Sequence, residues 1–100
     1  VVLISGWFKD TVPKFCDLID EPISLIHIDC DLYSSAKTVL DNFKDRLQNG
    51  TILLFDEFIN YEGWQFNEFA AFRELIEETG FKCDTLGRYG RCEVGVIIYK

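Results

Sequence analysis

Apolar and polar positions follow two rhythms along this chain. Short continuous apolar runs, Val1–Ile4, Ile23–Ile28 and Thr51–Phe55, have the length of buried strands. Between them, apolar residues recur at helical spacing. Val12, Phe15, Cys16 and Ile19 share one face of a short helix that Asp10 or Thr11 is expected to cap, with Pro13 near the first turn and Asp20-Glu21-Pro22 as the stop. Val39, Leu40, Phe43 and Leu47 mark a second helix, entered at Ser34 or Ser35, running to about Gln48 and closed by Asn49-Gly50. Phe69, Phe72, Leu75 and Ile76 mark a third, from about Gln65 to Thr79, which Gly80 ends. Phe81–Leu86 and Glu93–Tyr99 flank a turn at Gly87–Gly90 and read as an antiparallel hairpin.

This alternation predicts an α/β sheet with parallel strands, helical crossovers and a C-terminal antiparallel hairpin. Ile23–Ile28 is apolar almost throughout, which suggests cover on both faces, and His27 within it is expected to be a hydrogen-bonded core histidine. Asp29 and Asp56 follow two of the strands and lie 27 positions apart. A complete strand–helix–strand unit takes roughly 30 residues. Both acids are therefore expected at one rim, past the C-terminal strand ends, where open α/β sheets bind ligands.

Composition narrows the picture. A chain of 100 residues is one domain at most, and its 48% hydrophobic and 15% aromatic content excludes intrinsic disorder. The net charge of −7, with scattered basic residues, argues against a nucleic-acid partner. No apolar run approaches the roughly 18 residues of a membrane span, so the expected partner is a small molecule rather than a membrane. A homo-oligomer is left open. The chain contains no methionine, so it is expected to be processed, trimmed or a fragment. Cys16, Cys30, Cys83 and Cys92 match no zinc spacing and read as buried reduced thiols, with a Cys83–Cys92 bridge as the minor alternative. Reduced thiols point to a reducing, cytoplasmic compartment.

Asp29, Asp31, Asp56 and Glu57 crowd the expected rim. Crowded carboxylates need shared protons or a bound cation, and hard oxygen donors suit Mg²⁺, Mn²⁺ or Ca²⁺. If the backbone stays extended through Asp29-Cys30-Asp31, both acids share a face. One would then hold a cation while the other takes a proton from a substrate hydroxyl. A plainer role is also open, with Asp31 capping the following helix. Arg88 and Arg91 are expected to flank a solvated turn, and Glu74, Glu77 and Glu78 to form an exposed helix face. Trp7, Tyr61 and Trp64 fall in expected loops near the acidic rim.

Three segments, S-G-W-F-K-D-T-V-P (Ser5–Pro13), I-H-I-D-C-D-L-Y-S-S (Ile26–Ser35) and L-L-F-D-E-F-I-N-Y-E-G-W (Leu54–Trp64), together resemble the C-terminal half of the macrocin O-methyltransferase (TylF-type) family. These are class I S-adenosylmethionine-dependent methyltransferases. The resemblance implies a partial Rossmann-like sheet that starts at the family's third strand, with residues 1–100 as the C-terminal portion of one methyltransferase domain. It implies S-adenosylmethionine as methyl donor, Mg²⁺ or another divalent cation held by Asp29, Asp56 and Glu57, and Asp31 as general base. Gly6, Trp7 and Phe8 would line the adenine pocket, and Tyr61 and Trp64 would lie near a hydroxyl acceptor on a sugar or other small metabolite. The family pair Asp-Asp is here Asp56-Glu57, one methylene longer at the second position. No Gly-rich turn follows a strand, and Gly87–Gly90 has the wrong spacing and place, so the 100 residues alone are expected to be inactive. Two other readings compete. A glycosyltransferase holding a metal–nucleotide sugar would use Asp29 and Asp31, and a non-catalytic truncated paralogue would keep only the fold.

Overall fold

The computed structural model describes all residues, 1–100. The elements run α1 (Phe8–Leu18), β1 (Ile23–Ile28), α2 (Tyr33–Phe43), β2 (Leu47–Phe55), α3 (Glu68–Thr79), β3 (Lys82–Tyr89) and β4 (Glu93–Tyr99), with 3₁₀ turns at Lys44–Arg46 and Trp64–Phe66. One sheet holds the strands in the order β1-β2-β4-β3. β1 and β2 are parallel and joined through α2, while β4 runs antiparallel to both its neighbours. The α/β class and the terminal hairpin are thus as expected.

The core lies on one side of the sheet. Ile28, Leu53, Phe55, Val94, Val96 and Ile98 meet Ala36 and Leu40 of α2 and Ala71, Phe72 and Leu75 of α3. Phe55 stacks on Phe58 at 4.5 Å and meets Phe72 edge-on at 5.3 Å. Each large side chain so buried contributes roughly 1.5–3 kcal/mol. On the outside of the helix pair, Lys37 lies 3.0 Å from Glu74 and 3.2 Å from both Asp41 and Glu78, bridging α2 to α3. α1 rests on α2 through Phe15 against Phe43, and the Arg46 guanidinium donates to the Cys16 carbonyl at its C-terminal end.

Strand residues alternate between faces, and no helix covers the opposite face. Leu25 is 54% exposed, and Ile52, Leu54 and Ile97 are only partly covered. The expectation of a doubly covered β1 is therefore corrected: β1 is an edge strand buried on one side. His27 faces the open side and is exposed, not a core histidine.

Other boundaries shift for local reasons. Val1–Ile4 forms no strand; it has no partner, and all four residues are exposed. α1 begins at Phe8, ahead of the expected cap, so Pro13 sits inside the helix. Neither Asp31 nor a serine caps α2, whose N-cap is Leu32 with no side-chain bond. α2 ends at Phe43, and Leu47 to Gly50 belong to β2 rather than to a helix end. The buried Thr51 hydroxyl drives this: it accepts the Gln48 N–H at 3.0 Å and donates to the Ile23 carbonyl at 2.6 Å. The register accordingly jumps from Ile23 opposite Leu47 to Leu25 opposite Ile52. α3 starts at Glu68 after the 3₁₀ turn, and β3 runs through Gly87 to Tyr89, which moves the hairpin turn to Gly90–Cys92. All four cysteines are free; Cys83 is exposed and the other three are half-buried rather than buried. Cys83 pairs with Ile98, whereas Cys92 precedes β4 at the other end of the hairpin, which excludes the alternative bridge. No helix is long and apolar enough to cross a membrane.

Candidate functional site

The parallel pair β1 and β2 delivers its acids to one rim. The ladder continues one residue past β2, where the Asp56 N–H donates to the Ile28 carbonyl at 3.0 Å, so Asp56 stands beside the Asp29 turn. The Asp29 carboxyl lies against that of Asp56. Burial, together with that contact and the Asp29 charge, raises the Asp56 pKa, and nearby His27 works in the opposite direction. Glu57 is raised first by the charge of Asp31, then by burial and by Asp56. Asp29 thus bears most on Asp56, and Asp31 on Glu57. No group of three or more His, Cys, Asp or Glu side chains is arranged to hold a metal ion.

Asp31 is not extended. Its φ of 63° is left-handed, and the Leu32 N–H turns back to the Cys30 carbonyl at 2.6 Å. The extended backbone that would put Asp29 and Asp31 on one face is therefore absent, because the chain turns at Asp31. Aspartate tolerates this conformation better than most side chains.

Beneath the rim lies a residue that the motifs did not single out. Glu68, the first residue of α3, is completely buried. Its Oε2 accepts the N–H groups of Cys30 at 3.3 Å and Asp31 at 3.0 Å, and its Oε1 accepts that of Glu57 at 3.1 Å. Burial raises the pKa of Glu68, while these three donors oppose the rise. The Cys30 thiol beside it is pushed up to about 12 by burial and by the charges of Glu68, Asp31 and Asp29, so it is a neutral thiol and no nucleophile. The sequence did carry a signal. Glu68 precedes Ala71, Phe72 and Leu75 by three, four and seven positions, on the stripe that faces the core.

The aromatic residues take separate places. Trp7, Phe8, Lys9, Leu32, Ser34, Ser35 and Thr38 line a cleft of about 380 Å³ that opens beside the Asp31 turn. Gly6 lies in the adjoining hollow with Trp7 and Thr11. Tyr61 donates to the Glu57 carbonyl at 3.3 Å, and Trp64 packs edge-on to Phe69 at 5.0 Å; both line a shallow surface with Arg91. A cavity of about 580 Å³ is bordered by Leu47 and Phe81, far from the acids at the opposite end of the sheet.

The sequence profile of the macrocin O-methyltransferase (TylF) family matches residues 1–91. The chain belongs to this family. A tetracenomycin-C 4'-O-methyltransferase of Streptomyces olivaceus, named for its 2,3-dimethoxy-rhamnosyl substrate, is 34% identical over 58 residues, which are 58% of this chain and 21% of that protein. Two structures of the calicheamicin methyltransferase CalS11, one described as a TDP-rhamnose 3'-O-methyltransferase, superpose with a TM-score of 0.69 at 28% identity. They cover 91% of this chain and 39% and 35% of theirs. The chain therefore spans well under half the length of these relatives. The acidic rim, Glu68 and the Trp7 cleft all fall within the residues matched by the family profile.

Proposed function

We propose that the whole protein transfers a methyl group from S-adenosylmethionine to a hydroxyl of a sugar or other small metabolite. The observation that carries this is the delivery of Asp29, Asp31, Asp56 and Glu57 to one strand-end rim within a TylF-family fold. The relatives with sugar-directed names support a sugar acceptor, free, glycosidic or attached to a nucleotide. Because one of them is described as acting on TDP-rhamnose, nucleotide-sugar binding does not separate this reading from a glycosyltransferase. Binding of the methyl donor does.

The rim's oxygen donors have the chemistry a hard divalent cation takes, with two carboxylates rather than three converging. Crowding of the neighbouring Asp29 and Asp56 carboxyls is relieved by a shared proton or a cation, and Mg²⁺ is commonly held by one or two carboxylates with the remaining positions left to water or substrate. Asp29 and Asp56 would hold it, with Glu57 the third ligand the family resemblance implies. Such a cation supplies acidification and orientation of the acceptor hydroxyl.

The chain's own residues account for the remaining tasks. Asp31, set on its left-handed turn, takes the acceptor's proton as the acceptor oxygen attacks the methyl carbon and the carbon–sulfur bond breaks. Trp7, Phe8 and Leu32 offer a flat apolar cleft for an adenine ring, with Gly6 at its edge. Tyr61 and Trp64 flank the acceptor side, Tyr61 tied to the Glu57 backbone. Alignment of the reacting atoms is the main service such a site performs.

The test is a methyl-transfer assay of the whole protein with isotopically labelled S-adenosylmethionine, a panel of free and nucleotide-linked deoxysugars, and calorimetry with S-adenosylhomocysteine. Label transfer to a sugar hydroxyl, suppressed by EDTA and restored by Mg²⁺, is the expected result. Absence of S-adenosylhomocysteine binding would overturn the reading.

A further inference from the structure

We infer that Glu68 is a positioning residue that locks the two acidic turns of the rim to each other, and so sets where Asp31 and Glu57 stand. The inference rests on the proposed function for its catalytic meaning, but its geometry stands apart from any bound group. A fully buried carboxylate is costly unless its oxygens are satisfied. Those of Glu68 are met by three backbone N–H groups from two separate segments: Cys30 and Asp31 after β1, and Glu57 after β2. The Cys30 thiol also lies 3.9 Å from Oε2. No lysine, arginine or histidine pairs with Glu68.

Its role is therefore not that of a buried ion pair. It works as a clamp, anchored in the core by α3 and reaching up between two strand ends that hydrogen-bond to each other only as far as Asp56. Past that point Glu68 supplies the cross-link that the ladder no longer gives. The clamp also stabilises the left-handed turn at Asp31, because it captures the N–H of the residue that is turned. Glutamine is the same size but presents only one acceptor, so it can satisfy one turn and not both. Groups that orient the ligands of a site commonly change affinity or activity by about 10- to 100-fold when altered.

The experiment compares Glu68→Gln with the parent whole protein by amide NMR and by Mn²⁺ titration. The expected result is that the amide signals of one turn, either Cys30 and Asp31 or Glu57, move upfield and lose exchange protection, while the β3 and β4 signals stay in place. Mn²⁺ affinity falls about tenfold, with the melting temperature changed by only a few degrees. Unmoved amide signals in Glu68→Gln overturn the inference, as does Mn²⁺ affinity within twofold of a parent that binds it. If the parent binds no Mn²⁺, the cation reading falls and the amide signals alone decide the role of Glu68. If Glu68→Gln does not fold, exchange in the parent decides. Asp31 and Glu57 amides protected to the same degree support the clamp, and exchange at the unprotected rate refutes it.

Discussion

At the scale of single residues, the rim is a set of acids whose positions matter more than their number. Asp31 holds the left-handed turn, and in the proposed reaction it is the base. Asp31→Asn keeps the turn, since asparagine also tolerates a positive φ, and removes the base. Methyl transfer is expected to fall by about 10²-fold or more in kcat, with S-adenosylhomocysteine affinity unchanged by calorimetry. Asp56 and Glu57 have raised pKa values, so each binds its proton more tightly in the folded chain than in the unfolded one. Their contribution to stability is fully present below the ordinary carboxylate pKa and is lost as pH rises through the raised values. Without divalent cation, Asp56→Asn should therefore gain melting temperature relative to the parent as pH rises from about 4 to neutrality. Saturating Mg²⁺ should reverse that difference by stabilising only the parent, as thermal melts with EDTA or Mg²⁺ would register. The four rim acids were legible in the sequence because two crossover-related strand ends broke into acids. Glu68 was hidden because a charged residue on an inward stripe reads as a helix start, and its partners are backbone groups that no motif displays.

At the scale of elements, apolar runs located β1 and β2, the hairpin pattern located β3 and β4, and helical periodicity located α2 and α3. What the periodicity could not locate was the handover from α2 to β2. Leu47 satisfies the helical spacing, yet tertiary bonding to Thr51 takes precedence. Thr51→Val keeps the shape and removes both bonds, leaving the Gln48 N–H and Ile23 carbonyl without that partner. The expected loss is about 1–3 kcal/mol in urea unfolding of the whole protein, with the loss concentrated where β1 enters the sheet. The hairpin turn was misplaced for a related reason. Glycine signalled a turn at Gly87, but Gly87 lies opposite Gly95 within the ladder, and the reversal falls at Gly90.

At the scale of the whole molecule, the sheet is half dressed. Its helical side is packed to near-complete burial, whereas Leu25, Ile52, Leu54 and Ile97 lie on a face without a helix over it. The continuous apolar run of β1 correctly signalled a strand but not its one-sided cover, because a pattern cannot reveal which neighbours are present. Residues 1–100 produced alone should bind an apolar dye through this face and give no methyl transfer, since they contain no Gly-rich turn for the donor; fluorescence and the labelled-methyl assay check both. The two outer strands of the sheet differ in a way that matters at the bench. β3 carries Lys82, Asp84 and Arg88 along its rim, charges that discourage strand-to-strand stacking, whereas β1 leaves the main chain of Ile-Ser-Leu-Ile-His-Ile free along its outer side. Preparations of this segment by itself are thus prone to grow by strand addition at β1, and lysine at position 25 is the simplest gatekeeper against fibrous precipitate.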